Sequence, residues 1–257
     1  MEHVEHHGRS TAYRHADRGE GLATCVFVHG SGANHLIWKS QDRLARRYTV
    51  VAVDLSGHGD SDDIDTPAGP KTLEHYVEDV MAVVEAVDGD VLVGNSLGGA
   101  VAMWTMLERS SDINGLCLVG TGAKLTVSEE IRNLLRDDFE AAVDLLHRPG
   151  WLLDEPDSPL GLASREAMFE VGRRVTERDF LTCHVFDVRD RLEEIDVPTL
   201  AIGGANDRLT PPYYHEYLAT HIPDARFETL DDAAHLVMLE RSQTFNEHLS
   251  TFVEEVR

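Results

Sequence analysis

The sequence predicts an α/β fold, a mostly parallel sheet with helices on both faces. Short β-branched runs alternate with longer amphipathic segments along most of the 257 residues. Most of the short runs are continuous apolar stretches, as strands covered on both faces are. The apolar fraction of 42% is that of an ordinary globular chain and excludes a disordered one. A chain of this length buries a substantial core without a disulfide or metal staple.

In chain order, the segments near Val4 and from Ser10 to His15 read as an antiparallel edge pair. Strands follow at Thr24-Cys25-Val26-Phe27-Val28, Thr49-Val50-Val51-Ala52-Val53, Val91-Leu92-Val93 and Gly115-Leu116-Cys117-Leu118-Val119. Two more lie at Thr199-Leu200-Ala201-Ile202 and Arg226-Phe227-Glu228-Thr229-Leu230. Leu73, Tyr76, Val77, Val80, Val83, Val84 and Val87 share one helical face, with Thr72 as the expected N-cap. Ala100 to Leu107 and Thr244 to Val256 also read as helices. The alternation breaks between about Thr121 and Val197. There Ile131, Leu134, Leu135, Phe139 and Val143 follow helical spacing, and the run from Pro149 to Pro159 is rich in turn residues. The expected organisation is one domain over residues 1–257. Its core is 1–120 and 196–257, and 121–195 is a helical cap laid over the strand ends.

Gly94-Asn95-Ser96-Leu97-Gly98 fits G-x-S-x-G, directly after a strand and directly before a helix. A sharp turn there leaves room only for small residues around Ser96 and exposes its hydroxyl at the carboxyl end of the sheet. A serine hydroxyl needs a base to take its proton. Among 14 histidines, His235 lies in the loop after the last strand, beside that edge. The base needs a carboxylate to fix its tautomer. Asp207 lies just past the strand ending at Ile202, and the loop Gly120-Thr121-Gly122-Ala123 offers no rival acid. Oxyanion donors are expected from the backbone N–H groups of Leu97 and of Ser31, in the loop His29-Gly30-Ser31-Gly32. His29 reads as a brace for that loop. Asp54 and His58, in Asp54-Leu55-Ser56-Gly57-His58-Gly59-Asp60-Ser61, read as structural. Trp38, Asn95, Trp151, Phe180 and Phe186 are the candidate substrate-pocket residues. No metal or organic cofactor is implied.

The His29–Gly32 loop, the Asp54–Ser61 turn, the elbow Gly94–Gly99, Asp207 and His235 together resemble the α/β-hydrolase superfamily, in order and over nearly the whole chain. The resemblance implies an eight-stranded sheet with a helical cap after the sixth strand. Serine at position 96 counts against the dehalogenase and epoxide hydrolase branches, which use aspartate there. The Asn95-Ser96 pair and His29–Gly32 are similar to C–C hydrolases of aromatic-ring degradation, but Ala33-Asn34-His35 departs from their usual Pro-Gly-Ala. The stretch from Phe186-Asp187-Val188 through the Asp207 turn is more similar to small carboxylesterases and enol-lactonase-like hydrolases. The expected activity is serine hydrolysis of a small-molecule ester or lactone through an acyl-enzyme. C–C hydrolysis of a vinylogous diketone, or a low-turnover ligand-binding or signalling role on the same fold, are the alternatives.

Cys25, Cys117 and Cys183 are widely spaced and form no disulfide framework or zinc signature; Cys25 and Cys117 fall in strand runs as small core residues. The polar start Met1-Glu2-His3-Val4-Glu5-His6-His7 lacks the apolar segment of a secretory signal. No stretch approaches a membrane span, and a cytoplasmic protein is expected. The formal net charge of −23 disfavours nucleic acid and anionic membranes as partners. Lys39, Lys71 and Lys124 are the only lysines among 23 basic residues. Self-repulsion at this charge is relieved by salt, which predicts a high-salt cytoplasm. Thermal melts are expected to show higher stability in molar KCl than in dilute buffer; an unchanged or lower midpoint contradicts the expectation.

Overall fold

The computed structural model describes residues 1–109 and 112–257. The strands among them are β1 (Glu2–His6), β2 (Arg9–Ala16), β3 (Thr24–Val28), β4 (Thr49–Val53), β5 (Val91–Asn95), β6 (Gly115–Val119), β7 (Thr199–Gly204) and β8 (Ala225–Leu230). They form one sheet in the order β1-β2-β4-β3-β5-β6-β7-β8. The first two pairings, β1 with β2 and β2 with β4, are antiparallel, and the rest are parallel. β1 and β2 join through a tight turn with His7 and Gly8 both at positive φ, the geometry that a two-residue hairpin loop demands. Every residue of β5 and β6 is buried. That is why their sequences are continuous apolar runs, and it marks the centre of the sheet, where the turn at Ser96 begins.

Right-handed crossovers divide the connections between the two faces of the sheet. The chain steps one way from β3 to β4 and the other way afterwards. A run of 3-10 turns, His35–Arg46, makes the first step. It packs against the C-terminal helix, which we label α9 below, through the Gln41–Asn246 side-chain hydrogen bond of 3.0 Å. Helices α1 (Pro70–Val87) and α2 (Leu97–Glu108) follow β4 and β5. α1 begins at Pro70, two residues before the expected cap. Proline's fixed φ suits the first helical turn, and Thr72 lies inside the helix, its hydroxyl donating to the Pro67 carbonyl at 2.9 Å.

Between β6 and β7 lie four helices: α3 (Glu129–Asp137), α4 (Phe139–Leu146), α5 (Pro159–Val171) and α6 (Arg173–Val185). Ser128, Asp138 and Ser158 cap the first three by accepting from the N–H groups of Ile131, Ala141 and Gly161. Gly172, at φ +80°, makes the break between α5 and α6. After β7 come α7 (Pro212–His221), β8, the short α8 (Val237–Glu240) and α9 (Ser242–Val256). No helix among the described residues is long and apolar enough to cross a membrane.

Trp38 does not reach a substrate pocket. It is fully buried on the face carrying α9, its ring 5.1 Å from that of Phe27 and 6.3 Å from that of Phe245. Amphipathic placement, not site chemistry, fixes it: the 3-10 run turns its apolar side onto β3. Trp38→Ala is therefore expected to cost about 3–5 kcal/mol of stability, the usual range for emptying a buried aromatic site. Denaturant unfolding measures the loss, and the ratio of rates on different substrates should stay that of the wild type.

Candidate active site

The β5–α2 turn is the fixed point of the site. Ser96 sits at φ +54°, ψ −113°, a conformation that side chains rarely adopt. The surrounding glycines are required sterically. A Cβ on Gly94 would lie 2.3 Å from the Gly98 carbonyl oxygen, and one on Gly98 would lie 2.3 Å from that of Val28. The Ser96 N–H donates to Val119 at 2.9 Å, and its carbonyl accepts from the Thr121 hydroxyl at 2.8 Å. The strained turn is thus bonded on one side to β6 and on the other to the loop that follows it.

His235 lies after β8, as the sequence suggests, and is nearly sealed from solvent. Its Nδ1 is 2.9 Å from Asp207 Oδ2, in the loop after β7. A buried carboxylate accepts only, so Nδ1 carries a proton and Nε2 is left facing the cavity. Asp207 accepts three further bonds: from the N–H groups of Leu209 and Thr210 at 2.8 and 2.9 Å, and from the Thr210 hydroxyl at 2.7 Å. Burial alone would raise its carboxyl, but the His235 ring and the Thr210 bonds outweigh burial and hold it below its ordinary value. The Trp151 carbonyl accepts the His235 N–H at 3.2 Å, and Glu240 accepts from the N–H of Ala234 at 2.8 Å. No hydrogen bond joins the Ser96 hydroxyl to His235; both side chains line the same cavity.

The loop after β3 closes against the elbow. A Cβ on Gly30 would lie 2.9 Å from Asn95 Oδ1 and 3.1 Å from the Ser96 Cβ. His29 Nδ1 donates to the Gly30 carbonyl at 2.9 Å, and its Nε2 accepts from the Leu55 N–H at 3.1 Å. One nitrogen donating and the other accepting makes this ring neutral. Burial first, and neighbouring His58 second, push it down to about 4. The Leu97 N–H heads α2 and so has no intrahelical acceptor.

The cavity holds about 840 Å³ of space, open solvent at its mouth included. Its walls are mainly apolar: Leu125, Val127, Ile131, Leu152, Met168 and Phe180 from the helical insertion and its flanks, with Leu209 and Leu236 from the core loops. Ser31, Ser164, Thr126, Thr210 and Tyr214 add hydroxyls, and none of the lining residues is Lys, Arg, Asp or Glu. Asn95 and Phe180 line it. Trp151 and Phe186 do not: Trp151 meets the site through its backbone, and Phe186 is packed into the core below the insertion. Among the described residues no group of three or more His, Cys, Asp or Glu side chains is placed to hold a metal ion.

Sequence reasoning missed Thr210; an aspartate in a turn tends to accept nearby backbone N–H groups, as Asp207 does from Leu209 and Thr210, but nothing in the sequence marks the Thr210 hydroxyl as its partner. It also missed the positions in α6 that reach the Gly32 loop, because a helix of mostly polar residues carries no motif.

Residues 25–248 match the sequence model of the Alpha/beta hydrolase family. The chain is 31% identical to a pimeloyl-(acyl-carrier protein) methyl ester esterase of Neisseria meningitidis serogroup C, over 92% of this chain and 96% of that protein. It is 27% identical to a 3-oxoadipate enol-lactonase of Acinetobacter baylyi, over 93% of this chain and 91% of that protein. The solved structure of a thermophilic esterase superposes with a TM-score of 0.86 at 30% identity, covering 99% of this chain and 97% of that one. A match of this extent to the family, on the eight-stranded sheet described above, makes the chain a member of the α/β-hydrolase family of enzymes.

Proposed function

We propose that the chain is a serine hydrolase of small, uncharged carboxylic esters or lactones, working through an acyl-enzyme on Ser96. One observation carries the reading: the strained Ser96 and the Asp207-paired His235 open on one apolar cavity. His235 Nε2 takes the Ser96 proton as Oγ attacks the substrate carbonyl. The N–H groups of Leu97 and Ser31 stabilise the oxyanion. Asp207 stabilises the imidazolium without taking its proton. His235 then protonates the departing alkoxide, and the acyl group stays on Ser96. A water deprotonated by His235 attacks the ester carbonyl, the Ser96 oxygen leaves and is reprotonated, and the free acid departs.

The wall chemistry favours esters over C–C substrates. Ring-fission products of that class are carboxylic acids, and so are lactones formed from a diacid. An unpaired carboxylate in an apolar cavity is costly, and no lining residue is a cation to pair it. The relatives quoted above support ester or lactone chemistry in general. The residues between β6 and β7 supply most of the apolar wall, which supports reading 121–195 as the substrate-selecting cap. The charge of −23 and the scarcity of lysine support a high-salt cytoplasm as the setting.

Two measurements test this reading. A fluorophosphonate probe should label the folded wild type on Ser96, and Ser96→Ala should lose both labelling and nearly all ester hydrolysis; retained turnover in that variant overturns the assignment. A neutral p-nitrophenyl ester and its analogue bearing a carboxylate at the acyl terminus should differ in kcat/KM by about 100-fold or more in favour of the neutral one, the scale set by burying an unpaired charge. Equal rates contradict the uncharged substrate class.

A further inference from the structure

Asp179, on α6, is fully buried and reaches across from the helical insertion to the core. Its Oδ2 accepts from the N–H of Gly32 at 3.0 Å and from His58 Nε2 at 2.9 Å. Its Oδ1 accepts from the Tyr76 hydroxyl at 2.6 Å. The neighbouring Arg178 spans the same seam, bonding Asp63 and the carbonyls of Ile64 and Ser56. His58 is equally buried, and its Nδ1 faces only carbonyl oxygens, those of Leu55 at 3.2 Å and Ser56 at 3.3 Å. With acceptors on both sides, both ring nitrogens donate, so His58 is an imidazolium. Burial works against that charge and the Asp179 carboxylate outweighs it, leaving His58 above its ordinary value. His29, with its ring centroid 4.6 Å away, is neutral.

His29 acts on the Gly32 loop directly and His58 acts on it through Asp179. The carbonyl of Gly30 and the N–H of Ser31 belong to one planar trans peptide and point in opposite directions. His29 and the N–H of Ala33 hold that carbonyl, at 2.9 and 3.3 Å, and so aim the Ser31 N–H the other way. Asp179 holds the next peptide through Gly32. The fit is close: Gly32 is at φ +65°, and a Cβ there would meet the Thr176 methyl at 3.0 Å and the Met168 methyl at 3.2 Å. We propose that Asp179, neutralised by the buried His58 imidazolium, is a positioning residue for the oxyanion donor of Ser31, so that the carbonyl-polarising site is complete only with α6 seated on the core. This inference rests on the proposed acyl-enzyme reaction at Ser96.

The test compares Asp179→Asn and Tyr76→Phe with wild type on a neutral p-nitrophenyl ester, each variant first shown to be folded by circular dichroism. Loss of one oxyanion donor costs about 10²–10³-fold in turnover. Misaiming it through Asp179→Asn should lower kcat about 10- to 100-fold with KM within about threefold, a smaller loss than outright removal. Tyr76→Phe, the milder change, should lower kcat severalfold and serves if Asp179→Asn does not fold. Arg174→Ala removes only a rim contact of α6 with Asp63 and should keep wild-type kcat. In wild type, ring-nitrogen NMR should show His58 doubly protonated at neutral pH, and in Asp179→Asn the ring should become neutral. Wild-type kcat in every variant of the two that folds, or a neutral His58 in the wild type, overturns the inference while the reaction itself stands. A wild type that neither hydrolyses the ester nor labels on Ser96 overturns the underlying reading, and the inference falls with it.

Discussion

One backbone constraint organises the molecule: the left-handed turn at Ser96 between β5 and α2. It requires glycine at 94 and 98, and the missing side chains let the β3 strand end and its loop come within contact of the turn. The strain of one residue, of order 1–3 kcal/mol, is held by a fully buried strand pair and by bonds from Val119 and Thr121. Loosening any of these would let the serine relax into an ordinary conformation and withdraw from the cavity. The central strands are therefore both buried at every residue and the part that the site most depends on.

Around that fixed point the fold keeps several buried histidines in different states by controlling what faces each ring nitrogen. The rings of His29 and His58 are close neighbours tilted by 54°, yet one is neutral and the other charged, because one meets a backbone N–H and the other meets only acceptors. His215, on the buried side of α7, accepts from the Thr121 N–H at 3.2 Å, and burial pushes it down to about 4. His235 has a carboxylate on one nitrogen and the cavity on the other. Of these four rings, only that of His235 lines the cavity. Burial restricts the others to bracing.

The sheet was legible in the sequence because strands buried on both faces leave an unmistakable apolar run, and Thr24–Val28, Thr49–Val53 and Gly115–Val119 match their predicted bounds residue for residue. Helix starts were less legible. Thr72 looks like a cap by composition, but Pro70 and the positive φ of Gly69 start the helix earlier. The positions of Ser96, Asp207 and His235 at strand ends could be read because topology sends every parallel strand to the same edge. Pocket walls could not: Trp38, Trp151 and Phe186 are apolar aromatics for which sequence gives no direction, and the packing of α9 and of the insertion decided where each one points. Asp179 was invisible for a different reason. Its partners lie 103, 121 and 147 residues away, and nothing local marks it.

The bond from α6 to Gly32 bears on how such proteins diversify. If the insertion were only a lid, lineages could exchange it freely and acquire new substrates by recombination. Here a graft from a relative lacking an acid at the position of Asp179 would strip His58 of its counter-charge and leave an unanswered amide at Gly32. The seam would have to be inherited together with the loop and the Asp54–Ser61 turn that it joins. Substrate range in this lineage is therefore expected to drift by point changes on the cavity side of the helices, with the underside of α6 held nearly constant.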